Sequence, residues 1–159
     1  GTLQLVTQHD TYIEGYETLG PEPLSAGFNA EYLTPLAQKS RKAIKTFILD
    51  QHIIAGLGNI YADECLALAG ILPMRAANSL SSEELVRLCE AVNAVIAQGI
   101  KNHGTTFRDY KDGEGNKGDN QNHLLVYSRA GQPCKKCGRT LVQTKIGGRG
   151  SVYCENCQK

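Results

Sequence analysis

The chain has 159 residues, of which 41% are hydrophobic and 21% charged, and its net charge at pH 7 is +1. This length corresponds to about one to one and a half average domains, and the composition is ordinary for a globular protein. The sequence contains no apolar run of about 18 residues, which excludes a membrane-spanning helix. Its first twenty residues lack the basic head and apolar stretch of a secretory signal, so we expect a cytoplasmic protein.

Charge is distributed unevenly along the chain. Residues 1–99 hold six Lys and Arg against eleven Asp and Glu, whereas residues 100–159 hold eleven against five. The net charges of the two parts are therefore −5 and +6. A basic face on the second part favours a polyanion as the partner, but a solvated charged surface explains the same numbers equally well.

The first predicted elements are weak strands at residues 2–8 and 11–16, followed by a linker. Two prolines fix the backbone in Leu19–Leu24, which excludes a helix there. Strands at 2–8 find almost no strand partners elsewhere in the sequence. We therefore interpret residues 1–24 as the tail of a missing N-terminal β domain, followed by a linker.

Three amphipathic helices are predicted after the linker. Apolar residues repeat at helical spacing over residues 32–48, and a second helix over 59–69 ends at Gly70. The third helix begins at a capping box formed by Ser81 and Glu84. Its apolar stripe is typical of core positions rather than of a cofactor site.

A loop, a strand and a hairpin are predicted next. Residues 109–123 contain three glycines and almost nothing apolar, which indicates a mobile loop of the kind that often forms a functional lid. Residues 124–127 have strand character. The alternation over 141–146 and 151–153 predicts a β-hairpin with a glycine-rich tip at 147–150.

The six cysteines are of two kinds. Cys65 and Cys89 stand alone in apolar, helix-like sequence and are expected to be buried core residues. The others form two C-x-x-C pairs separated by sixteen residues: Cys134, Cys137, Cys154 and Cys157. This spacing predicts one structural zinc held by four thiolates. Disulfide pairing is the less favoured alternative, because nothing else indicates a secreted protein.

Two short motifs predict contacts with phosphate. Asn59 follows a Gly-Leu-Gly turn at the start of a helix, where backbone amides attract anions, although such a turn is often only a tight connection between helices. Arg149 lies between glycines at the predicted hairpin tip, where a guanidinium suits bidentate capture of phosphate. A solvated turn arginine is the alternative. Lys42 and Lys45, on the preceding helix, add positive charge.

Three separated motifs together resemble the formamidopyrimidine-DNA glycosylase family. They are Asp50–Glu64, Val126–Gly138 and Gly148–Gln158, and Leu19–Leu24 resembles the interdomain linker of that family. The resemblance covers nearly the whole chain and corresponds to the C-terminal half of the family. It implies a mainly α fold with a small β zinc-finger hairpin, in which a helix-two-turn-helix bundle precedes a four-cysteine, zinc ribbon-like finger. The implied divisions are a DNA-binding domain at 25–108, a mobile lesion-capping loop at 109–123 and the finger at 124–159.

The resemblance also implies a function. It points to the DNA-binding half of a bifunctional base-excision-repair DNA glycosylase and AP lyase acting on oxidised purines, namely 8-oxoguanine and formamidopyrimidines. Its partner would be double-stranded DNA with a damaged base or abasic site, bound by a monomer. The family's nucleophile is an N-terminal proline followed by glutamate, whereas this sequence begins Gly1-Thr2-Leu3. We therefore expect this chain alone to bind damaged DNA without excising the base.

Three alternatives stay open at this point. The first is a non-catalytic, zinc-dependent module that binds damaged DNA, and the second is an endonuclease VIII-like glycosylase for oxidised pyrimidines. The third, a ribosomal or structural role, is disfavoured by the zinc hairpin. The Gly-Arg-Gly-Ser tip and the long loop at 109–123 favour the purine-directed family over the second alternative.

The family roles extend to individual residues. The resemblance implies zinc binding by the four paired cysteines and DNA contacts from Arg41, Lys42, Lys45, Gly58, Asn59, Tyr127 and Arg149. Asn59 would bind a phosphate beside the lesion, and Arg149 would grip the same region and serve the strand-elimination step. Tyr127 would offer its hydroxyl to a neighbouring phosphate. The basic residues at 41, 42 and 45 would lie along the DNA backbone.

Overall fold

The computed structural model describes residues 17–105 and 118–159, which contain four helices and one two-stranded hairpin. The helices and strands are α1 (Ala30–Gln38), α2 (Ile44–Ile48), α3 (Asn59–Ala69), α4 (Ser82–Lys101), β1 (Val142–Ile146) and β2 (Arg149–Tyr153). Short 3-10 turns lie at Ala77–Ser79 and Asn120–Asn122. The predicted fold class, mainly α with a small β hairpin, is confirmed.

Local sequence signals explain where the helices begin and end. The Asn29 side chain accepts a hydrogen bond from the Tyr32 amide at 2.9 Å and caps α1. Ser81 and Glu84 form the predicted capping box at the start of α4. Gly70 ends α3 in the left-handed conformation, with φ of 74°, which costs glycine nothing.

The prediction of one helix over residues 32–48 is wrong, because the chain leaves helical geometry between α1 and α2. Residues 40–44 pair instead with the segment at 73–78. The Ile44 amide donates to the Arg75 carbonyl at 2.6 Å, and the Ala77 amide donates to the Lys42 carbonyl at 2.9 Å. These long-range hydrogen bonds replace the helical ones and turn α2 away from α1.

The larger hydrophobic core lies among the four helices. The twenty-residue α4 packs along α3, and buried side chains such as Leu33, Ile48 and Leu66 fill the space between them and the first two helices. Cys65 and Cys89 belong to this core, as predicted. Burial raises the pKa of both thiols, that of Cys89 to about 11, so neither is a reactive thiolate at neutral pH.

A second, smaller core lies beneath the hairpin. It consists of Val126, Cys134, Leu141, Val152 and Cys154. The strands β1 and β2 are antiparallel, with Val142 opposite Tyr153 and Ile146 opposite Arg149. Gly147 and Gly148 make the turn with φ of 56° and 77°, which is the pattern of a two-residue type I′ hairpin loop. The tip is thus shorter than the predicted 147–150, and Arg149 is the first residue of β2.

The strand predicted at residues 124–127 is absent from the described structure. The amides of Leu125, Val126 and Tyr127 donate to the side chain of Glu64 rather than to a neighbouring strand. The apolar pattern at 124–127 therefore reflects burial of the segment and not pairing in a sheet.

Part of the predicted loop at 109–123 has local structure. Residues 120–122 form a 3-10 turn, and the Asn120 side chain is only 4% exposed. A structureless loop is therefore wrong for residues 118–123. Residues 106–117, like the weak strands predicted at 2–8 and 11–16, lie outside the described residues.

The proline-containing segment at 19–24 forms turns and no helix, as its sequence requires. The Gly20 amide donates to the Gln51 carbonyl at 2.9 Å, so this segment packs on the helical core. Among the described helices, none combines the length and apolar character needed to cross a lipid bilayer.

Candidate nucleic-acid interface and zinc centre

Four cysteine thiols converge at the base of the hairpin. The Sγ atoms of Cys134, Cys137, Cys154 and Cys157 all lie within 4.8 Å of one another. The distance between the Cys134 and Cys157 sulfurs is 4.0 Å, and that between Cys137 and Cys154 is 3.5 Å. A tetrahedral zinc with bonds of about 2.3 Å holds its sulfurs about 3.8 Å apart, which these distances match.

The surroundings of these thiols also suit a metal. A hydrogen bond from the Arg139 backbone amide lowers the pKa of the Cys137 thiol to about 6, whereas the hydrogen bond between the two thiols raises the pKa of Cys157 to about 12. Four sulfurs this close repel one another as thiolates, and a cation between them removes that repulsion. One C-x-x-C pair lies near the start of the finger sequence and the other near its end, so a single ion bound by all four thiolates would link the two segments. The four residues fit one structural zinc, which would close a finger whose own apolar core is small.

Two adjacent carboxylates of α3 fasten the finger to the helical core. The Glu64 side chain, 4% exposed, accepts hydrogen bonds from three successive amides, those of Leu125 at 2.6 Å, Val126 at 2.9 Å and Tyr127 at 2.8 Å. The Asp63 side chain, 1% exposed, accepts from the β2 amide of Val152 at 3.1 Å. Helix α3 therefore fixes both the segment before the finger and the second strand of the hairpin.

The end of the chain makes a third attachment. The buried Gln158 side chain accepts from the Cys154 amide and donates to the Ile71 carbonyl, both at 2.8 Å. The Lys159 amide donates to the Gly70 carbonyl at 2.9 Å. The second C-x-x-C pair is thereby held against the turn that follows α3.

Lys45 lies inside this interface and not on the surface. Its side chain is 0% exposed, with Nζ 2.7 Å from Oδ1 of Asp63. The same ammonium donates to the Gly150 carbonyl and to the Ser151 hydroxyl, each at 2.7 Å. The prediction that Lys45 lies along the DNA backbone is wrong, because no part of the side chain is accessible to a phosphate.

Burial disfavours the charged forms of Lys45 and Asp63. Loss of hydration lowers the pKa of Lys45 and raises the pKa of Asp63. Their hydrogen bond and mutual attraction act in the opposite direction and favour the charged form of each. The ammonium donates two hydrogen bonds and lies 2.7 Å from the Asp63 carboxylate, so the lysine and the aspartate are held as an ion pair.

A polar cleft of about 370 Å³ brings together residues that the sequence singled out separately. Asn59, Tyr127 and Gly150 line it, and Asn59 Nδ2 donates to the Gly150 carbonyl at 3.4 Å. Gly150 directly follows Arg149, so the start of α3 and the hairpin tip are neighbours. A side chain at Gly58 would meet nothing within 4 Å, which leaves the approach to the first amides of α3 open.

A second cleft, of about 210 Å³, lies on the α2 side of the tip. Arg149 and Lys42 line it together with Asp50. The Lys42 ammonium is 3.3 Å from Oδ2 of Asp50, and its side chain is 59% exposed, so this ion pair is weak and easily exchanged. Arg41 is also exposed beside it. Lys42 and Arg149 are thus accessible cations at this cleft, and Lys145 is exposed on β1 opposite Gly150, whereas Lys45 is buried.

Sequence reasoning missed several residues that build this region, among them Asp63, Glu64, Ser151 and Gln158. One signal was available for two of them. Consecutive carboxylates at 63 and 64 interrupt an otherwise apolar helix, and buried charge without a partner is too costly to persist. The backbone amides that they accept from lie 61 to 89 residues away, which no local pattern reveals.

The arrangement defines a class of protein: a helix-two-turn-helix bundle with a four-cysteine zinc finger docked on its third helix. Comparison with known families agrees. Residues 19–111 match the formamidopyrimidine-DNA glycosylase H2TH domain, and residues 131–159 match the zinc finger found in FPG and IleRS. The chain belongs to the formamidopyrimidine-DNA glycosylase family, and its finger holds one structural zinc.

Curated relatives carry the same name. The formamidopyrimidine-DNA glycosylase of Desulfitobacterium hafniense (strain DSM 10664 / DCB-2) is 49% identical over 159 residues, which is 99% of this chain and 58% of the relative. That of Desulforamulus reducens is 48% identical over 160 residues, covering 100% of this chain and 58% of the relative. The chain thus spans somewhat more than half the length of these relatives.

Solved structures show the same fold. The MutM (Fpg) protein of Thermus thermophilus superposes with a TM-score of 0.85 at 40% identity, over 89% of this chain and 54% of that one. The Lactococcus lactis Fpg was solved in complex with DNA containing an abasic site. It superposes with a TM-score of 0.84 at 36% identity, over 90% of this chain and 52% of that chain.

Proposed function

We propose that this chain is the DNA-binding half of a bifunctional DNA glycosylase and AP lyase that removes oxidised purines. Its partner is duplex DNA with a damaged base or an abasic site, bound by a monomer. The observation that carries the proposal is the 3.4 Å contact between Asn59 and the Gly150 carbonyl, which makes the start of α3 a neighbour of the hairpin tip that bears Arg149. The complex of the Lactococcus lactis Fpg with abasic-site DNA supports the same partner.

The proposed roles follow from the chemistry of each group. A helix start attracts anions through its unpaired amides, and the Asn59 side chain adds a donor there. Arg149 offers a bidentate guanidinium from the opposite side, and it also serves the strand-elimination step of the whole enzyme. Tyr127, on the wall of the same cleft, contacts the neighbouring phosphate.

The remaining DNA contacts lie on either side of this cleft. Gly58 lets the phosphate approach the first amides of α3, since no side chain stands in the way. Arg41 and Lys42 extend the positive surface along the backbone. Lys45 is excluded from direct contact by its burial.

Backbone contacts of this kind have a purpose in excising a base. An enzyme reaches the sugar and the damaged base only by extruding the nucleotide, which costs a few kcal/mol of lost stacking and pairing. Phosphate contacts on both sides of the lesion hold the duplex in the kinked form that makes extrusion possible. This half supplies those contacts, and the catalytic nucleophile belongs to the rest of the enzyme. Because the proposed substrate is chromosomal DNA, the proposal includes a cytoplasmic location.

The proposal also assigns the parts of the chain. Residues 1–24 end a preceding domain and form the linker, 25–108 are the helical DNA-binding domain, and 124–159 are the finger. The segment 109–123 caps the extruded base. A polypeptide of these 159 residues binds damaged DNA and does not excise.

The test is a binding titration by fluorescence anisotropy at fixed salt. We expect the polypeptide to bind a duplex carrying one tetrahydrofuran abasic-site analogue more tightly than the same duplex undamaged. Arg149→Ala should raise the Kd about 5- to 150-fold, the range for loss of a charge-assisted contact. Arg87→Ala is the matched control, because Arg87 is exposed beside Leu68 and Ala69 at the far end of α3. Equal affinity for the two duplexes would contradict the proposal.

Excision is tested separately by borohydride trapping with an 8-oxoguanine duplex. We expect no covalent adduct with the 159-residue polypeptide. A trapped species would show that these residues contain a nucleophile and that the division of labour proposed for the two halves is wrong.

A further inference from the structure

We infer that Lys45 is a positioning residue: it fixes Arg149 and the hairpin tip beside Asn59 without touching DNA. The inference rests on the proposed function, because it concerns how the phosphate-binding groups are held. It replaces the role in DNA contact that the sequence suggested for this lysine.

The burial of Lys45 requires an explanation. A charged group without access to water loses its hydration, and an apolar side chain of similar size packs at lower cost. Lys45 compensates through three short contacts, to Asp63 on α3 and to Gly150 and Ser151 on β2. One side chain of α2 thus ties together two other elements at a single point.

That point lies immediately beside Arg149. The Gly150 carbonyl accepts from Lys45 Nζ at 2.7 Å and from Asn59 Nδ2 at 3.4 Å. Gly150, the residue after Arg149, is therefore held by α2 and α3 together. Its carbonyl accepts both from the buried Lys45 and from the side-chain amide of Asn59, the group proposed to bind phosphate.

A second contact holds the other side of the tip. Gly147 has φ of 56°, and a Cβ placed there would lie 2.7 Å from Oγ1 of Thr46, the residue after Lys45. The turn is thus packed directly on α2. Because Arg149 is anchored both before and after it, its backbone is preorganised, and less conformational entropy is lost when its side chain binds a phosphate.

The test uses a variant that removes both charges at once, Lys45→Met with Asp63→Asn. Removing the lysine alone would leave Asp63 as an unpaired buried charge, which is strongly destabilising. The amide oxygen that Asp63→Asn retains is still an acceptor for the Val152 amide, which lies 3.1 Å from the Asp63 carboxylate. Zinc content and thermal unfolding of the variant are measured first, so that only folded, metal-loaded protein is compared.

The measured quantity is the Kd for the duplex with a tetrahydrofuran abasic-site analogue. We expect the double variant to lose most of the affinity that Arg149→Ala removes from the unaltered chain, about 5- to 150-fold, and Arg149→Ala added to it to cost less than about twofold. Arg41→Ala should cost the same factor in both backgrounds, because Arg41 is not held by the tip. A general loss of stability would not single out Arg149 in this way.

The outcomes are distinct. If Arg149→Ala costs the same factor in both backgrounds while the unaltered chain binds the duplex, Lys45 does not position Arg149 and only this inference fails. If the unaltered chain shows no preference for the abasic duplex, the proposed function fails as well. Should the double variant not fold, Ser151→Ala removes a single acceptor of Lys45 and carries the same comparison. We then expect the cost of Arg149→Ala to fall at least twofold, and an unchanged cost would overturn the inference.

Discussion

Glu64 provides the most direct test of how the finger is attached to the helices. Its carboxylate accepts three backbone amides at 2.6 to 2.9 Å and is 4% exposed. In the variant Glu64→Gln one oxygen becomes an amide nitrogen, which donates and does not accept. If the remaining oxygen keeps the amides of Val126 and Tyr127, the new nitrogen faces the Leu125 amide, and that donor has no partner.

The cost of this change is estimated from its parts. The variant loses one charge-assisted hydrogen bond, worth about 1.5–3 kcal/mol, and weakens two others by roughly 1 kcal/mol in total because the acceptor becomes neutral. We therefore expect destabilisation by about 3 kcal/mol. In a chain of this size that corresponds to a Tm lower by about 6–12 °C.

Thermal unfolding with bound zinc measures this effect. Glu90→Gln on the exposed face of α4 is the matched control and should change stability by no more than about 0.5 kcal/mol. Because Tyr127 lies in the segment that Glu64 holds, the affinity for the abasic duplex should also fall. A Tm of Glu64→Gln within about 1 °C of the control would refute the role assigned to this carboxylate.

Three further outcomes are expected. Chelation of zinc should abolish binding to the abasic duplex while the helical circular dichroism signal persists. The reason is that the finger depends on the metal, whereas the helices have their own core. Unchanged affinity for the duplex without zinc would contradict this prediction. Ser81→Ala should lower stability by about 1 kcal/mol through loss of the capping box, against little change for Ser82→Ala, and calorimetry distinguishes the two. Gly147→Ala should lower Tm and DNA affinity more than Gly148→Ala. Both substitutions place alanine at a positive φ, but only the methyl group at position 147 clashes with Thr46. Equal effects of the two substitutions would refute the packing of the tip on α2.

Features governed by local chemistry were predictable from the sequence. The two C-x-x-C pairs determine a metal site through spacing alone, and the structure brings the four sulfurs together. The capping box at Ser81 and the left-handed glycine at position 70 follow from the needs of helix ends. The helix ends depend on residues within a few positions of one another, and the metal site on two such pairs sixteen residues apart.

Features that depend on partners distant in sequence could not be predicted from the sequence. A lysine on an amphipathic helix is expected to be exposed, and only the approach of Asp63 and Ser151 makes burial of Lys45 acceptable. The segment at 124–127 has the composition of a strand, but its amides are satisfied by Glu64, 61 residues earlier in the chain at the nearest. In both cases the deciding partner is a polar side chain from another element, which periodicity does not report.

The proposal that Asn59 and Arg149 bind one and the same phosphate is tested most directly by methylphosphonate scanning. Each linkage near the abasic analogue is made neutral in turn, and binding is measured for the unaltered chain, Asn59→Ala and Arg149→Ala. We expect one linkage at which neutralisation weakens binding by the unaltered chain. With that linkage neutral, neither Asn59→Ala nor Arg149→Ala should weaken binding further. If the two substitutions lose their effects at different linkages, the helix start and the hairpin tip do not hold the same phosphate.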